Sequence, residues 1–236
     1  MSTNYLFVYN TLKEKITNGD YPIQSLLPAE PVLEKMFHVS RITIRKAVEL
    51  LAADGLVQKQ RGVGTIVLNY KVTQNLNYIT SLTETLTKNG YEVTIPAMSI
   101  AVVKADAALA GIFNAKAGTE LARIRRTVLA SGTPLGLLEN YLPYELVAGI
   151  EQYENRFVSL YRLLEEKYYI TLEMAQDRIF AKNADAAEAA RLDIPEGFAL
   201  VCVKRKCLRY GQCVCYDLLS LRHDMYGFDI TLYGRR

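Results

Sequence analysis

Apolar and polar positions change their period partway along the chain. Leu6, Tyr9, Leu12 and Ile16 recur at helical spacing until Gly19 and Asp20 break the run, which predicts a first helix. A short second helix is expected after LLPAE, because Pro28 and Pro31 are tolerated only before or within a first turn, and it should end near Phe37. Ser40 then stands as the N-cap of a third helix, with an apolar stripe of Ile44, Ala47, Val48 and Leu51 and with Gly55 at its close. Residues 56–67, LVQKQRGVGTIV, read as two short strands joined through Arg61, Gly62, Val63 and Gly64. From Val72 onward strands and short helices alternate. Two regimes imply two domains, expected at 1–68 and 79–236, with a polar linker at 69–78.

The second regime repeats itself. ADAALAGIFNAKAGTELARIRRTVLASGTPL, from Ala105, aligns without a gap on ADAAEAARLDIPEGFALVCVKRKCLRYGQCV, from Ala184, at a constant offset of 79. Each copy has an Asp N-cap (Asp106, Asp185), an alanine-rich helix, a Gly turn, a strand, a hairpin at Gly132 or Gly211 and a returning strand. Two such units predict one antiparallel sheet with pseudo-twofold symmetry and helices on a face, so the fold class is α+β with two domains. The seam of a duplicated unit is a natural place for a small ligand.

Composition narrows the class. At 236 residues the chain can bury two cores, and its 50% hydrophobic and 22% charged residues leave no disordered block. No apolar run approaches the roughly 18 residues of a membrane span, and MSTNYLFVYNTLKEK has no basic region, apolar core and cleavage site in succession. A cytoplasmic protein is expected. Cys202, Cys207, Cys213 and Cys215 lie in one alternating segment and read as reduced strand residues, and no metal or other cofactor is expected.

The candidate chemistry starts at VSRITIRKAV, residues 39–48. Arg41 and Arg45 sit four apart in the first turns of the third helix, Arg45 off its apolar stripe and Arg41 on the stripe's flank, with Ile42 and Thr43 beside them and no acidic partner near them in sequence. Lys59 and Arg61 flank the hairpin turn that follows. Three helices, the last basic at its exposed N-terminal end, and then a basic hairpin, outline a winged helix-turn-helix. Such a helix fits the DNA major groove, where arginine reads guanine O6 and N7, and the wing reaches phosphates or the minor groove.

These residues resemble a family. LLPAE followed by HVSRITIRKAVELLAADGLVQKQRGVGTIV is similar to the DNA-binding domain of GntR-type bacterial transcription regulators. The resemblance implies DNA contacts by Arg41, Thr43, Arg45 and Gly62; Ile42, which replaces a commoner small polar residue of that pattern, is expected to touch a thymine methyl, and Lys59 and Arg61 are expected contacts as the basic residues of the wing. Pro31 replaces the arginine usual after the glutamate of that pattern. The second half, through SLTETLTKNGY, RTVLASGTPLGLLENYLP, SLYRLLEEKYYI and RHDMYGF, resembles the UTRA effector-binding domain of the HutC branch, whose fold is similar to chorismate lyase. The resemblance implies effector contacts by Ser81, Arg126, Ser159, Tyr161, Arg222 and Tyr226, and a small anionic metabolite of the sugar-phosphate or carboxylate class. Val128 and Leu138 stand where the branch has a second arginine and a pocket carboxylate, so a weaker or single anionic group is expected.

The expected function is therefore ligand-responsive repression by a homodimer on a palindromic operator, with a hinge across 68–77. The alternatives are a DNA-binding activator or architectural protein without ligand, and a chorismate lyase-like enzyme. The enzyme reading is the weaker, because the chain has two histidines and no nucleophile with a paired base in view.

Overall fold

A computed structural model describes residues 4–17, 20–22, 24–54, 56–68, 72–232 and 234. The chain divides into two compact units, Met1–Lys71 and Val72–Arg236.

In the first unit α1 (Asn4–Thr17), α2 (Glu30–Phe37) and α3 (Arg41–Ala53) precede an antiparallel hairpin of β1 (Val57–Gln60) and β2 (Gly64–Val67). The face α1 buries is Val8, Leu12 and Ile16. Leu6, expected in that stripe, is exposed, because it lies about 120° round the helix from Leu12. The stripe on α3 is buried as expected and packs with Leu33 of α2 and with Val57 and Val67 of the hairpin. Each fully buried aliphatic side chain contributes about 1.5–3 kcal/mol, which holds three short helices that would not persist alone. Ser40 accepts from the Thr43 N–H and so starts α3. Gly19 and Gly55, expected to end α1 and α3, lie outside the described residues.

The second unit contains β3 (Val72–Asn75), α4 (Leu82–Lys88), β4 (Val93–Lys104), α5 (Ala107–Phe113), β5 (Glu120–Ala130), β6 (Thr133–Pro143), α6 (Leu160–Tyr168), β7 (Met174–Asn183), α7 (Ala186–Leu192), β8 (Ala199–Arg209), β9 (Gln212–Arg222) and β10 (Tyr226–Asp229). Six strands form one antiparallel sheet in the order β4-β5-β6-β9-β8-β7. One face packs under α6, through Ala122, Ile124, Leu142, Leu160 and Leu164. The other carries α5 over Leu121 and α7 over Leu200.

The duplication runs through the sheet register. β5 and β8 begin at Glu120 and Ala199, and β6 and β9 at Thr133 and Gln212, each pair separated by the same 79 positions. Even the bulges coincide, between Val128 and Leu129 and between Cys207 and Leu208. At the centre Glu139 pairs with Leu218, its own repeat equivalent, so a pseudo-twofold axis passes between β6 and β9. The unit is also longer than the aligned sequence: α4 and α6 occupy equivalent places, capped by Ser81 and Ser159. Each half is helix, strand, helix, strand, strand.

The expected linker is partly sheet. Residues 69–71 lie outside the described residues, but Val72–Asn75 is β3 and pairs in parallel with β10, next to the RHDMYGF segment. A polar sequence without helical period is what a short strand at a sheet edge looks like, and that is why it reads as linker.

Candidate functional sites

The first site is the exposed end of α3 with the hairpin. The apolar stripe turns inward, so Arg41, Ile42 and Arg45 are turned out; Ile42 is 79% exposed, among the most exposed large apolar side chains described. Thr43 is half-buried and its hydroxyl lies 2.9 Å from that of Ser40. At the hairpin tip Gly62 has a φ of +78°, and a Cβ there would meet nothing within 4 Å, so backbone conformation and not crowding requires the glycine. Arg61 is exposed beside it, and Lys59 points back from β1 toward α2.

The two arginines do have an acidic partner, contrary to the sequence reading. Glu30, at the start of α2, accepts from Arg41 Nε at 3.0 Å and from Arg45 Nε at 2.9 Å. It is 11 and 15 residues away, so no helical spacing within α3 could reveal it.

The second site lies where α4 and α6 start over the sheet. Ser81 accepts from the Glu84 N–H while Glu84 Oε2 accepts from the Ser81 N–H, a complete capping box. Ser159 caps α6 by accepting from the Arg162 N–H, and its hydroxyl donates to Glu84 Oε1 at 2.8 Å. The two equivalent cap hydroxyls are 3.5 Å apart. A cleft of about 820 Å³ opens between the helices, lined among others by Thr83, Glu84, Phe157, Val158 and Ser159.

Behind Phe157 and Val158 is a buried polar network. Arg126, 3% exposed, lies over the Phe157 ring, donates to the Val158 carbonyl at 3.0 Å and to Asn140 Oδ1 at 2.9 Å, and keeps a buried Nε without a partner. Asn140 donates to Asp217 Oδ1 at 2.7 Å, and Asp217 Oδ2 accepts from the Tyr161 hydroxyl at 2.5 Å. Burial, with the Asp217 charge beside it, pushes the Tyr161 phenol well above its usual range, so it remains a donor.

Arg126 and Arg205 are repeat equivalents, and the structure treats them almost alike. Arg126 donates to the carbonyl just before the α6 cap, and Arg205 donates to Thr80 O, just before the α4 cap, at 2.8 Å. The difference is their charge partner. Asp177, opposite Arg205 in the sheet, grips it with two 2.7 Å bonds; the equivalent residue opposite Arg126 is Met98. Likewise Leu138 stands in the first copy where the second has Asp217. Burial draws both arginines down. For Arg205 the Asp177 bonds more than reverse this, whereas Arg126, without a carboxylate in contact, falls to about 10.

Of the six sequence-predicted effector residues, Ser81 and Ser159 meet at Glu84, and Arg126 and Tyr161 join through Asn140 and Asp217. Tyr226 donates to Gln74 Oε1 on β3, and Gln74 donates to Thr80, which connects it to Arg205. Arg222 is not part of the network: it pairs with Asp224 at 2.7 Å and donates to Pro134 O. Glu139 also lies apart, on the opposite face with Arg125, as strand alternation requires. Glu84, Asn140, Asp177, Arg205 and Asp217 were missed. The repeat alignment alone points to Arg205.

A winged helix-turn-helix joined in one chain to a duplicated sheet with a helix-capped polar site defines a transcriptional regulator with an effector-binding domain. Comparison with known families agrees: the model described as "Bacterial regulatory proteins, gntR family" matches residues 4–67, and the UTRA domain matches residues 88–227. The chain belongs to the GntR family, in its HutC-type, UTRA-bearing branch. Among its relatives, the HTH-type transcriptional repressor NagR of Bacillus subtilis (strain 168) is 28% identical over 95% of this chain and 92% of its own length. The probable transcriptional regulator PhnF of Escherichia coli (strain K12) is 30% identical over 92% of this chain and 88% of its own. The crystal structure of PhnF from Mycobacterium smegmatis superposes with a TM-score of 0.66 at 26% identity, covering 97% of this chain and all of that one. None of the described helices is long and apolar enough to cross a membrane.

Proposed function

We propose that this regulator is a repressor that binds a palindromic operator as a homodimer and is released by a small metabolite whose single anionic group binds Arg126. The observation that carries the effector half is the asymmetry between the two equivalent buried arginines. Arg205 is closed by Asp177, while Arg126 has no carboxylate in contact and an unpartnered Nε. A charge-assisted bond to a ligand oxyanion is about twice as strong as a neutral one, and here it would also offset the buried charge. Ser81, Ser159 and Tyr161 supply hydroxyls for the same group once Glu84 and the Phe157–Val158 segment give way. The relative named as a repressor supports the sign of the regulation.

Release follows from linkage. A ligand that prefers one arrangement of the effector domain shifts the population of dimers whose recognition helices match the half-site spacing, by about 1–3 kcal/mol in typical cases. The hydrogen bonds from Tyr161 through Arg205, Thr80 and Gln74 lead to β3, the strand by which the chain enters this domain. No turnover of the ligand is proposed. Selection of randomised duplex DNA by wild type and Arg45→Ala tests the operator half. A palindrome enriched by wild type and lost in the variant is expected; no enriched site at low salt would overturn the reading.

A further inference from the structure

Three of the candidate DNA contacts converge on one carboxylate that is not itself a candidate contact. Glu30 Oε2 accepts from both Arg41 Nε and Arg45 Nε, and Lys59 Nζ is 3.8 Å from Oε1. Glu34 adds a weaker attraction, 3.8 Å from Arg41 Nε. Burial would raise the Glu30 pKa, but the bonds from Arg41 and Arg45 and the nearby positive charges prevail and lower it, so it is an anion at neutral pH. Both arginines are held through Nε, and their terminal nitrogens make no hydrogen bond among the described residues. A carboxylate at Nε fixes the plane of a guanidinium and leaves its outer edge free. That edge is the one guanine O6 and N7, or a phosphate, would engage.

We propose that Glu30 is a positioning residue for operator recognition: it sets the planes of Arg41 and Arg45 toward base edges and, by its charge, weakens indiscriminate attraction to phosphate. Specificity, not affinity, is what it supplies. The inference rests on the reading that Arg41 and Arg45 touch DNA.

The test is binding of the full-length protein, by fluorescence anisotropy over a salt series, to the selected operator and to a scrambled duplex of equal length. For Glu30→Gln, one negative charge fewer at about 6 Å from phosphate in nearly aqueous surroundings should tighten scrambled-duplex binding about 3-fold. Freeing both guanidiniums should lower the operator-to-scrambled ratio about 10-fold, a fraction of what two bidentate contacts supply. Glu30→Asp keeps the charge in the first turn of α2 but is one methylene too short to hold both arginines, so the ratio should fall with scrambled binding unchanged. Wild-type selectivity in Glu30→Asp would reduce Glu30 to a helix-end charge and overturn the proposal. Equal tightening on both duplexes in Glu30→Gln would overturn it too. Arg45→Ala that still prefers the operator would instead refute the underlying reading of the arginines.

Discussion

Met98→Asp should transplant the second repeat's ion pair into the first. Met98 is the sheet partner of Arg126, as Asp177 is of Arg205, and from Ala97 onward the register of β4 with β5 matches that of β7 with β8 at the same offset of 79. Burial draws Arg126 from the ordinary arginine range down to about 10, and at about 1.36 kcal/mol per pH unit this is a charge-burial cost of about 3 kcal/mol. The sign is that of a depressed cation: the cost is present in full below about pH 10, hence at neutral pH, and is relieved as pH rises toward the unfolded value. A carboxylate opposite would remove most of it, as at Arg205. Against this stands the burial of Met98, about 2 kcal/mol, and its sulfur contact with the Asn155 N–H. The net change should be a gain of about 1 kcal/mol, or about 2–4 °C in the midpoint of the effector-domain transition. The functional change should be larger. On the proposed function, with Arg126 neutralised from inside an anionic effector would lose its main partner, and the variant should hold the operator without responding. The assays are a melting curve by circular dichroism and a reporter gene under the operator, grown on a panel of carbon and phosphorus sources that release wild type. A variant as inducible as wild type, or one destabilised by more than about 3 kcal/mol, would refute the argument from the two copies.

Further outcomes follow from the same geometry. Asp177→Asn should destabilise by about 3–5 kcal/mol in chemical denaturation, because it leaves Arg205, 6% exposed, without its charge partner. Tyr226→Phe should cost about 1 kcal/mol and weaken effector-driven release from DNA with effector affinity unchanged by calorimetry, since its hydroxyl bonds Gln74 on β3; a loss of affinity would place that hydroxyl on the ligand. Burial pushes the Cys213 thiol up to about 11, so its labelling by Ellman's reagent should rise about tenfold per pH unit between about pH 7 and 9. Cys207 and Cys215, fully buried, should label only on unfolding.

Local patterns carried far in this sequence, and long-range pairings did not. The α3 stripe, the Ser40 cap and the Gly62 turn depend on residues within a few positions of one another, and each stands in the structure where the pattern puts it. The repeat was legible from Ala105 onward because α5, β5, β6 and their counterparts kept similar residues. It was not legible earlier, because β4 is partly covered while β7 is exposed along nearly all its length, so different side chains serve the same place. Glu30 could not be found from α3, since the pairing depends on how α2 packs against it. That Arg222 stands apart from the network was hidden for a similar reason. Its partner Asp224 is two residues on, and only the backbone turn after β9 shows that the two face each other.

The central claim is that an anion at Arg126 controls DNA binding, and one titration tests it most directly. Wild type and Arg126→Met are each bound to the selected operator duplex, and the metabolite that releases wild type is added while anisotropy is followed. The account predicts equal operator affinity for the two proteins without metabolite, and release of wild type alone. Release of Arg126→Met at the same metabolite concentration would contradict it.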